Sequence, residues 1–160
     1  MVSEGIKKTV IIGVGNLLLG DDGVGIHAIN LLQEEKAALG AAVEIIDGGT
    51  AGLDLLFWLE DTGAAIIIDC MDAGSAPGTI FRLPAEELFS ASTGYITSLH
   101  EISLQEVLYT AKKLGKLPPA VVYGIQPGKI DFGEQLSPAV KAVLPRLVEL
   151  IKQELRSMIL

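Results

Sequence analysis

Residues Thr9–Gly25 read TVIIGVGNLLLGDDGVG, and the interpretation of the whole chain depends on this stretch. It begins with an apolar, β-branched run that is typical of a buried strand. The run breaks at Gly13 and Gly15, and after three leucines the chain reaches the adjacent carboxylates Asp21 and Asp22, where a helical pattern begins. A buried strand, a glycine turn and two acids at a helix start predict a site for a cation or for an acid–base pair.

Composition narrows the class of protein. The chain has 160 residues and a formal charge of −8, which argues against a nucleic-acid partner because phosphate contacts need clustered Lys and Arg. This length predicts one domain over 1–160. Cys70 is the only cysteine, so no intramolecular disulfide can form, and no run is long and apolar enough to span a membrane. We therefore expect a cytoplasmic protein that does not insert into membranes.

Strand-like and helix-like segments alternate along the chain. We expect strands at Lys8–Gly13, Val43–Ile46, Ala64–Ile68, Thr79–Leu83 and Ala120–Ile125. We expect helices at Asp22–Leu39, Ala51–Leu59 and Ser98–Leu114, and a last one that begins at Pro138. This order predicts right-handed crossovers and a three-layer α/β/α sandwich on a mostly parallel, twisted sheet of about five strands. The direction of Thr79–Leu83 stays open.

Three of these strands lead to acids at one edge of the sheet. The first leads to Asp21 and Asp22, the second to Asp47 and the third to Asp69, and His100 near the start of a later helix could reach them. Ligands of open parallel sheets bind beyond the carboxyl ends of the strands. Two carboxylates and one imidazole at that edge suit a divalent ion such as Ni²⁺ or Zn²⁺.

Each acid also has a structural interpretation. Asp21 or Asp22 could simply cap the first helix, and Asp47 could stabilise the glycine turn that follows it. Asp69 comes directly after Ile66–Ile68, and a carboxylate in such apolar surroundings needs a partner or a cation. A functional role is therefore favoured at Asp69, while both interpretations stay open for the other three.

The other histidine and the cysteine favour structural roles. His27 lies within the first helix, beside its apolar face, where a packed or half-exposed histidine is expected. Cys70 has no histidine next to it in sequence, so we expect a buried small residue rather than a nucleophile.

The glycine turn has a competing interpretation as a dinucleotide-binding loop. Gly13-Val14-Gly15 follows a strand, and Asp47 stands where a ribose-binding acid would lie. The dinucleotide pattern needs a third glycine where this chain has Leu18, and the paired aspartates would repel a pyrophosphate. The pattern therefore supports this alternative only weakly.

Several stretches, taken in order, resemble the hydrogenase maturation proteases, the endopeptidases that trim the large subunit of nickel–iron hydrogenases. They are GVGNLLLGDDGVG at Gly13–Gly25, DGGTAGLDLL at Asp47–Leu56, IIIDCMDAG at Ile66–Gly74, APGT at Ala76–Thr79, SLHEISLQEVL at Ser98–Leu108 and GIQPGKIDFGEQLSP at Gly124–Pro138. The stretches run through almost the whole chain, and the ordered set is far more specific than any one of them.

The resemblance implies removal of a C-terminal extension from the hydrogenase large-subunit precursor after nickel insertion. The family's metal-contacting positions map onto Asp22, Asp69 and His100, and some members carry Glu where this chain has Asp22. The aspartate of the family's DGGT motif, which helps to position or polarise the scissile region, maps onto Asp47. Ni²⁺ is expected to arrive with the precursor, which is the expected partner, and Zn²⁺ or Cd²⁺ could substitute in vitro.

The loops Met71–Gly78, Phe89–Thr97 and Gln126–Gly133 are expected to line the substrate groove, with Tyr95 and Ile96 as substrate contacts. Two other functions stay open. The chain could be a non-enzymatic nickel-binding assembly factor for hydrogenase or, with less support, a dinucleotide-binding domain.

Overall fold

A mostly parallel sheet forms the centre of the computed structural model, which describes residues 5, 7–50, 52–89, 96–97 and 103–159, with the backbone alone at 96, 97 and 159. Its strands in chain order are β1 (Thr9–Gly13), β2 (Val43–Asp47), β3 (Ala64–Asp72), β4 (Ile80–Pro84), the two-residue β5 (Ile96–Thr97) and β6 (Ala120–Ile125). The spatial order is β2-β1-β3-β6-β4, and β5 pairs with the end of β3. Neighbours from β2 to β6 run parallel, whereas β4 is antiparallel to β6 and forms an edge.

Helices cover both faces of this sheet. They are α1 (Val24–Glu34), α2 (Lys36–Leu39), α3 (Leu55–Leu59), α4 (Ala85–Phe89), α5 (Leu104–Lys113) and α6 (Pro138–Ile159). One apolar cluster joins the sheet to α1 and α6, and a second joins its other face to α3, α4 and α5. The expected three-layer α/β/α sandwich is therefore confirmed. None of the described helices combines the length and the apolar character needed to cross a membrane.

The start of the first helix differs from the expectation in a way that matters for the site. A 3₁₀ turn covers Gly20–Gly23, and the α-helix begins only at Val24. Both aspartates of the opening stretch therefore lie on the 3₁₀ turn. The helix also breaks at Glu35, and Gly40 with a φ of 102° follows the short α2.

The third strand is longer than expected. It continues past Asp69 to Asp72, because β6 pairs with it as far as Cys70 and β5 pairs with its last two residues. Pairing with β1 ends at Ile68. Asp69 is therefore inside its strand, but it lies one residue beyond the last residue that β1 pairs with.

Two helices begin later than the apolar pattern predicts. The helix expected from Ser98 begins at Leu104, because Ser103 and Glu106 form a capping box with bonds of 3.3 and 3.2 Å. The helix expected over Ala51–Leu59 is a 3₁₀ turn at Gly52–Asp54 followed by α3.

Candidate functional site

The strand register brings the expected acids to one edge of the sheet. Gly13 of β1 pairs with Asp47 of β2 on one side and with Ile68 of β3 on the other. Asp47 and Asp69 are thus two strands apart, a backbone separation of about 10 Å at the usual strand spacing. The strand β1 therefore lies between these two acids.

Glycines allow the 3₁₀ turn at Gly20–Gly23 to pack close to this edge. A Cβ atom at Gly25 would lie 2.4 Å from the Ile68 carbonyl oxygen, and one at Gly15, where φ is 148°, would lie 2.1 Å from the Asp22 carbonyl oxygen. Any other residue at Gly25 would push the start of α1 away from β3, and any other residue at Gly15 would push the 3₁₀ turn away from the loop that follows β1. The glycine pattern of the opening stretch therefore serves to bring Asp22 towards Asp69.

Asp22 is buried and held by the backbone of the preceding loop. Its side chain has no exposed surface, and its Oδ2 accepts a hydrogen bond of 3.0 Å from the Asn16 N–H group. The Asn16 side chain in turn accepts a 2.9 Å bond from the Leu18 N–H group. In a dinucleotide-binding loop such an N–H group would face a phosphate, whereas here it binds the protein's own carboxylate, which argues against that alternative.

Asp69 is the most unusual group at this edge. It has no exposed surface, and its Oδ1 accepts a 2.8 Å bond from the Cys70 N–H group, but its Oδ2 has no hydrogen-bond partner among the described residues. Burial raises the pKa of Asp69 well above its ordinary value and the charge of Asp22 adds to this effect, while the Cys70 bond opposes it. A divalent cation shared with Asp22 would satisfy the free oxygen and offset the repulsion.

Asp21 has a different task from Asp22. Its Oδ2 accepts bonds of 2.8 Å from the Gly128 N–H group, 2.8 Å from the Lys129 N–H group and 2.7 Å from the Ser137 hydroxyl, and its Oδ1 accepts one of 2.7 Å from the Ser137 N–H group. Burial acts to raise the pKa of Asp21, but these bonds outweigh it and hold the pKa below its ordinary value. Ser137, the residue directly before α6, therefore binds Asp21 through its hydroxyl.

Of the two adjacent aspartates, Asp22 is the one whose charge acts on Asp69, whereas Asp21 binds Gly128, Lys129 and Ser137. Consecutive residues of a 3₁₀ turn point about 120° apart, so two adjacent carboxylates cannot both face one edge. That geometric rule, applied to the sequence, could have predicted that the pair divides into one site residue and one structural residue. The sequence offers no signal for the partners of Asp21, which lie more than 100 positions away.

The remaining expected site residues have mixed outcomes. Asp47 is exposed, and its Oδ1 accepts a 2.9 Å bond from the Gly49 N–H group, as its structural interpretation expects. The Ile96 backbone belongs to β5 and pairs with Asp72. Tyr95 and His100 lie outside the described residues. Within the described part of the chain, no three His, Cys, Asp or Glu side chains form a metal-binding group, so Asp22 and Asp69 would need the expected His100 as a third ligand.

Gln126 is a site-supporting residue that the sequence did not reveal. It is buried, and its Oε1 accepts bonds of 2.8 Å from the Ala73 N–H group and 3.2 Å from the Ser75 N–H group. Its Nε2 donates a 3.0 Å bond to Asp72. This single amide fixes the loop that follows β3 at the carboxyl edge.

Nucleophilic catalysis by cysteine finds no support. Cys70 is 2% exposed and belongs to the apolar cluster under α1 and α6. Burial raises the pKa of the Cys70 thiol, and the nearby Asp69 and Asp22 charges raise it further, so the reactive thiolate is disfavoured. A cleft of about 810 Å³ beside Trp58 and Lys7 lies at the opposite edge, where the strands begin, and none of the candidate acids lines it.

Comparisons with known proteins point to one family. A family model described as hydrogenase maturation protease matches residues 26–154. The hydrogenase 2 maturation protease of Escherichia coli is 33% identical over 151 residues, covering 93% of this chain and 91% of that protein. A hydrogenase expression/formation protein of Rhodobacter capsulatus is 33% identical, covering 94% of this chain and 72% of its own length. The solved structure of the E. coli hydrogenase maturating endopeptidase HybD superposes with a TM-score of 0.80 at 30% identity, covering 94% of this chain and 93% of that one.

Proposed function

Because this chain belongs to the hydrogenase maturation protease family, we propose that it removes the C-terminal extension from a nickel–iron hydrogenase large-subunit precursor after nickel insertion. Its structural likeness to a hydrogenase maturating endopeptidase supports peptide hydrolysis as the reaction class. The nickel ion belongs to the precursor and is part of the substrate, and Zn²⁺ or Cd²⁺ substitutes for it in vitro.

One observation carries the proposal: two fully buried aspartates lie at the carboxyl edge, and one of them keeps an oxygen without a partner. Asp22 and Asp69 are close enough for the charge of one to raise the pKa of the other, and Asp69 Oδ2 finds no donor in the described part of the chain. Such a pair is costly for the folded protein on its own. A cation presented by the substrate would remove that cost.

His100 completes the proposed ligand set. Side chains alternate along a strand, so Asp69 projects to the same face of β3 as Ile67 and Met71. These two residues pack in the apolar cluster that includes Leu104 of α5. His100 precedes that helix by four positions in the sequence. The chain therefore enters α5 on the face to which Asp69 projects.

The reaction is a hydrolysis in which water attacks the scissile carbonyl carbon. A divalent cation polarises that carbonyl oxygen. A nearby carboxylate that does not bind the cation would accept the proton of the attacking water and return it to the leaving amine. Asp47, at the same edge, is assigned to positioning the scissile region, and Tyr95 and Ile96 to substrate contact.

The test compares nickel-loaded with nickel-free precursor and follows the mass of the large subunit. We expect the mass to fall only with the loaded precursor, and not at all with Asp22→Asn or His100→Ala. His27→Ala removes the other histidine of the chain and is the matched control. Cleavage without nickel, or full activity of His100→Ala, contradicts the proposal. Binding of the precursor with no change in its mass would instead indicate a non-enzymatic nickel-binding assembly factor.

A further inference from the structure

One carboxylate joins two distant parts of the chain beside the candidate site. The four bonds to Asp21 come from Gly128, Lys129 and Ser137, and all four are 2.7–2.8 Å long. Bonds of this length to an ionised acceptor are among the strongest in proteins. We call residues 128–137 the docked loop and these four bonds the Asp21 clamp.

Backbone bonds complete the attachment of the docked loop to the 3₁₀ turn. The Gly20 N–H group donates to the Gly133 carbonyl at 2.7 Å, and the Gly133 N–H group donates to the Leu18 carbonyl at 2.7 Å. The Asp21 N–H group donates to the Lys129 carbonyl at 3.1 Å. The docked loop contains no helix or strand, so these contacts, rather than its own secondary structure, define its position.

The clamp lies directly next to Asp22. On one side the 3₁₀ turn packs against the loop that follows β1 through the Gly15 and Gly23 contacts, and on the other side it is held by the docked loop. Phe132 at the tip of this loop is 89% exposed, and Leu18, whose carbonyl the loop binds, is 50% exposed. A cleft of about 390 Å³ lies beside Phe132, between Gly20 and Ser137. Two large apolar side chains thus stand in solvent next to the turn that carries Asp22.

We propose that Asp21 is a positioning residue: its clamp fixes the orientation of Asp22 and holds Phe132 as a contact for the precursor. This inference rests on the proposed function. Asp21 does not touch the substrate itself. Its effect on the rate passes through Asp22, and its effect on substrate affinity passes through the docked loop.

Asp21→Asn is the informative change, because an amide has one accepting oxygen where the carboxylate has two. In its better orientation the amide keeps the three donors on the Oδ2 side and turns its NH₂ group towards the Ser137 N–H group. We expect hydrogen exchange of the Ser137 amide, which loses its acceptor, to accelerate about 10- to 100-fold, and exchange of the Gly128 and Lys129 amides, which keep a weaker neutral acceptor, to accelerate less. Exchange at Ile66–Ile68 in the core should stay as in the parent protein.

Measurements of kcat and KM distinguish a positioning role of Asp21 from a general loss of stability. All variants are assayed well below their unfolding temperatures with nickel-loaded precursor. Asp21→Asn should lower kcat about 10- to 100-fold, the range that a small misplacement of a reacting group produces. Ser137→Ala removes one of the four donors and should lower kcat less than Asp21→Asn does. Phe132→Ala should raise KM and leave kcat near that of the parent.

Asp61→Asn is the control, because it makes the same chemical change at an exposed aspartate that lines the cleft at the opposite edge of the sheet. It should leave both exchange and kcat unchanged. Parent-like exchange in Asp21→Asn, or faster exchange with a parent-like kcat, overturns the proposal. If the parent protein fails to cut any precursor, the proposed function is lost. The clamp is then supported by faster exchange in Asp21→Asn and overturned by unchanged exchange.

Discussion

Replacing Asp69 by Asn should stabilise the metal-free protein while abolishing its activity. The amide keeps an oxygen to accept the bond from the Cys70 N–H group. It removes one of two neighbouring negative charges, and a neutral amide costs less to bury than an ionised carboxylate whose Oδ2 has no partner in the described structure. Stability and function are therefore expected to change in opposite directions at this position.

The gain in stability of Asp69→Asn over the parent protein should grow as pH rises. The pKa of Asp69 is raised in the folded protein by burial and by Asp22. Between about pH 4, where an unfolded aspartate titrates, and the raised folded pKa, the folded state binds more protons than the unfolded state. The parent protein then loses up to about 1.4 kcal/mol per pH unit as pH rises, and the Asn variant avoids this loss.

A buried polar group without a partner costs about 1–3 kcal/mol, which sets the expected gain of Asp69→Asn at the upper end of this pH window. For a chain of this length each kcal/mol corresponds to about 2–4 °C in Tm. Thermal and denaturant unfolding with a chelator present, at several pH values from 4 to 8, measure the difference. Asp47→Asn is the control, because it removes one carboxylate charge from an exposed position at the same edge.

A refutation would be clear. If Asp69→Asn is less stable than the parent across this range, or if its advantage shrinks as pH rises, then Asp69 is not a strained, buried carboxylate. The site would then need another explanation for its charge.

Two further changes test the construction of the site. Gly25→Ala places a Cβ atom 2.4 Å from the Ile68 carbonyl oxygen and should lower the free energy of unfolding by about 1–3 kcal/mol and also lower the cleavage rate. Gly5→Ala is the control, because its Cβ has no atom within 4 Å, and it should change neither quantity. Equal behaviour of the two variants in thermal unfolding and precursor cleavage would show that the site does not need this close approach. In acid, the lowered pKa of Asp21 stabilises the folded state above about pH 4, where the unfolded side chain is ionised, and this contribution is lost as pH falls through the folded pKa. The stability difference between the parent and Asp21→Asn, followed by urea unfolding from pH 6 to 2, should therefore shrink below pH 4, and a constant difference would contradict the role of the ionised clamp.

The sequence predicted most of the sheet because apolar runs mark buried strands directly. β6 has the expected bounds, and β1 and β2 differ by one residue. The starts of the helices were harder to predict from the sequence, because a local capping interaction, such as that of Ser103 with Glu106, sets them rather than apolar periodicity. The extension of β3 to Asp72 depends on its pairing with β5, a contact between distant segments that no local pattern encodes.

The candidate site was predictable at the level of strands but not of individual bonds. Asp47 and Asp69 reach one edge because parallel strands end together, and this follows from element order alone. Partners far away in the chain give Asp21 and Asp22 their separate roles. They also determine how Gln126 fixes the loop that follows β3. A sequence shows which residue types reach an edge, while the long-range hydrogen bonds decide which of them stays available for a ligand.

The same electrostatics that destabilise the resting site explain how it would recognise a nickel-loaded precursor. Asp22 and Asp69 are both fully buried, and the charge of Asp22 raises the pKa of Asp69. A precursor without metal brings nothing that offsets this repulsion, whereas a bound divalent cation offsets it for both carboxylates at once. Discrimination between the two precursors then needs no separate sensor. A variant such as Asp69→Asn relieves the repulsion in the resting protein. It also loses the charge that would distinguish a nickel-loaded from a nickel-free precursor, so it is expected to gain stability and lose function.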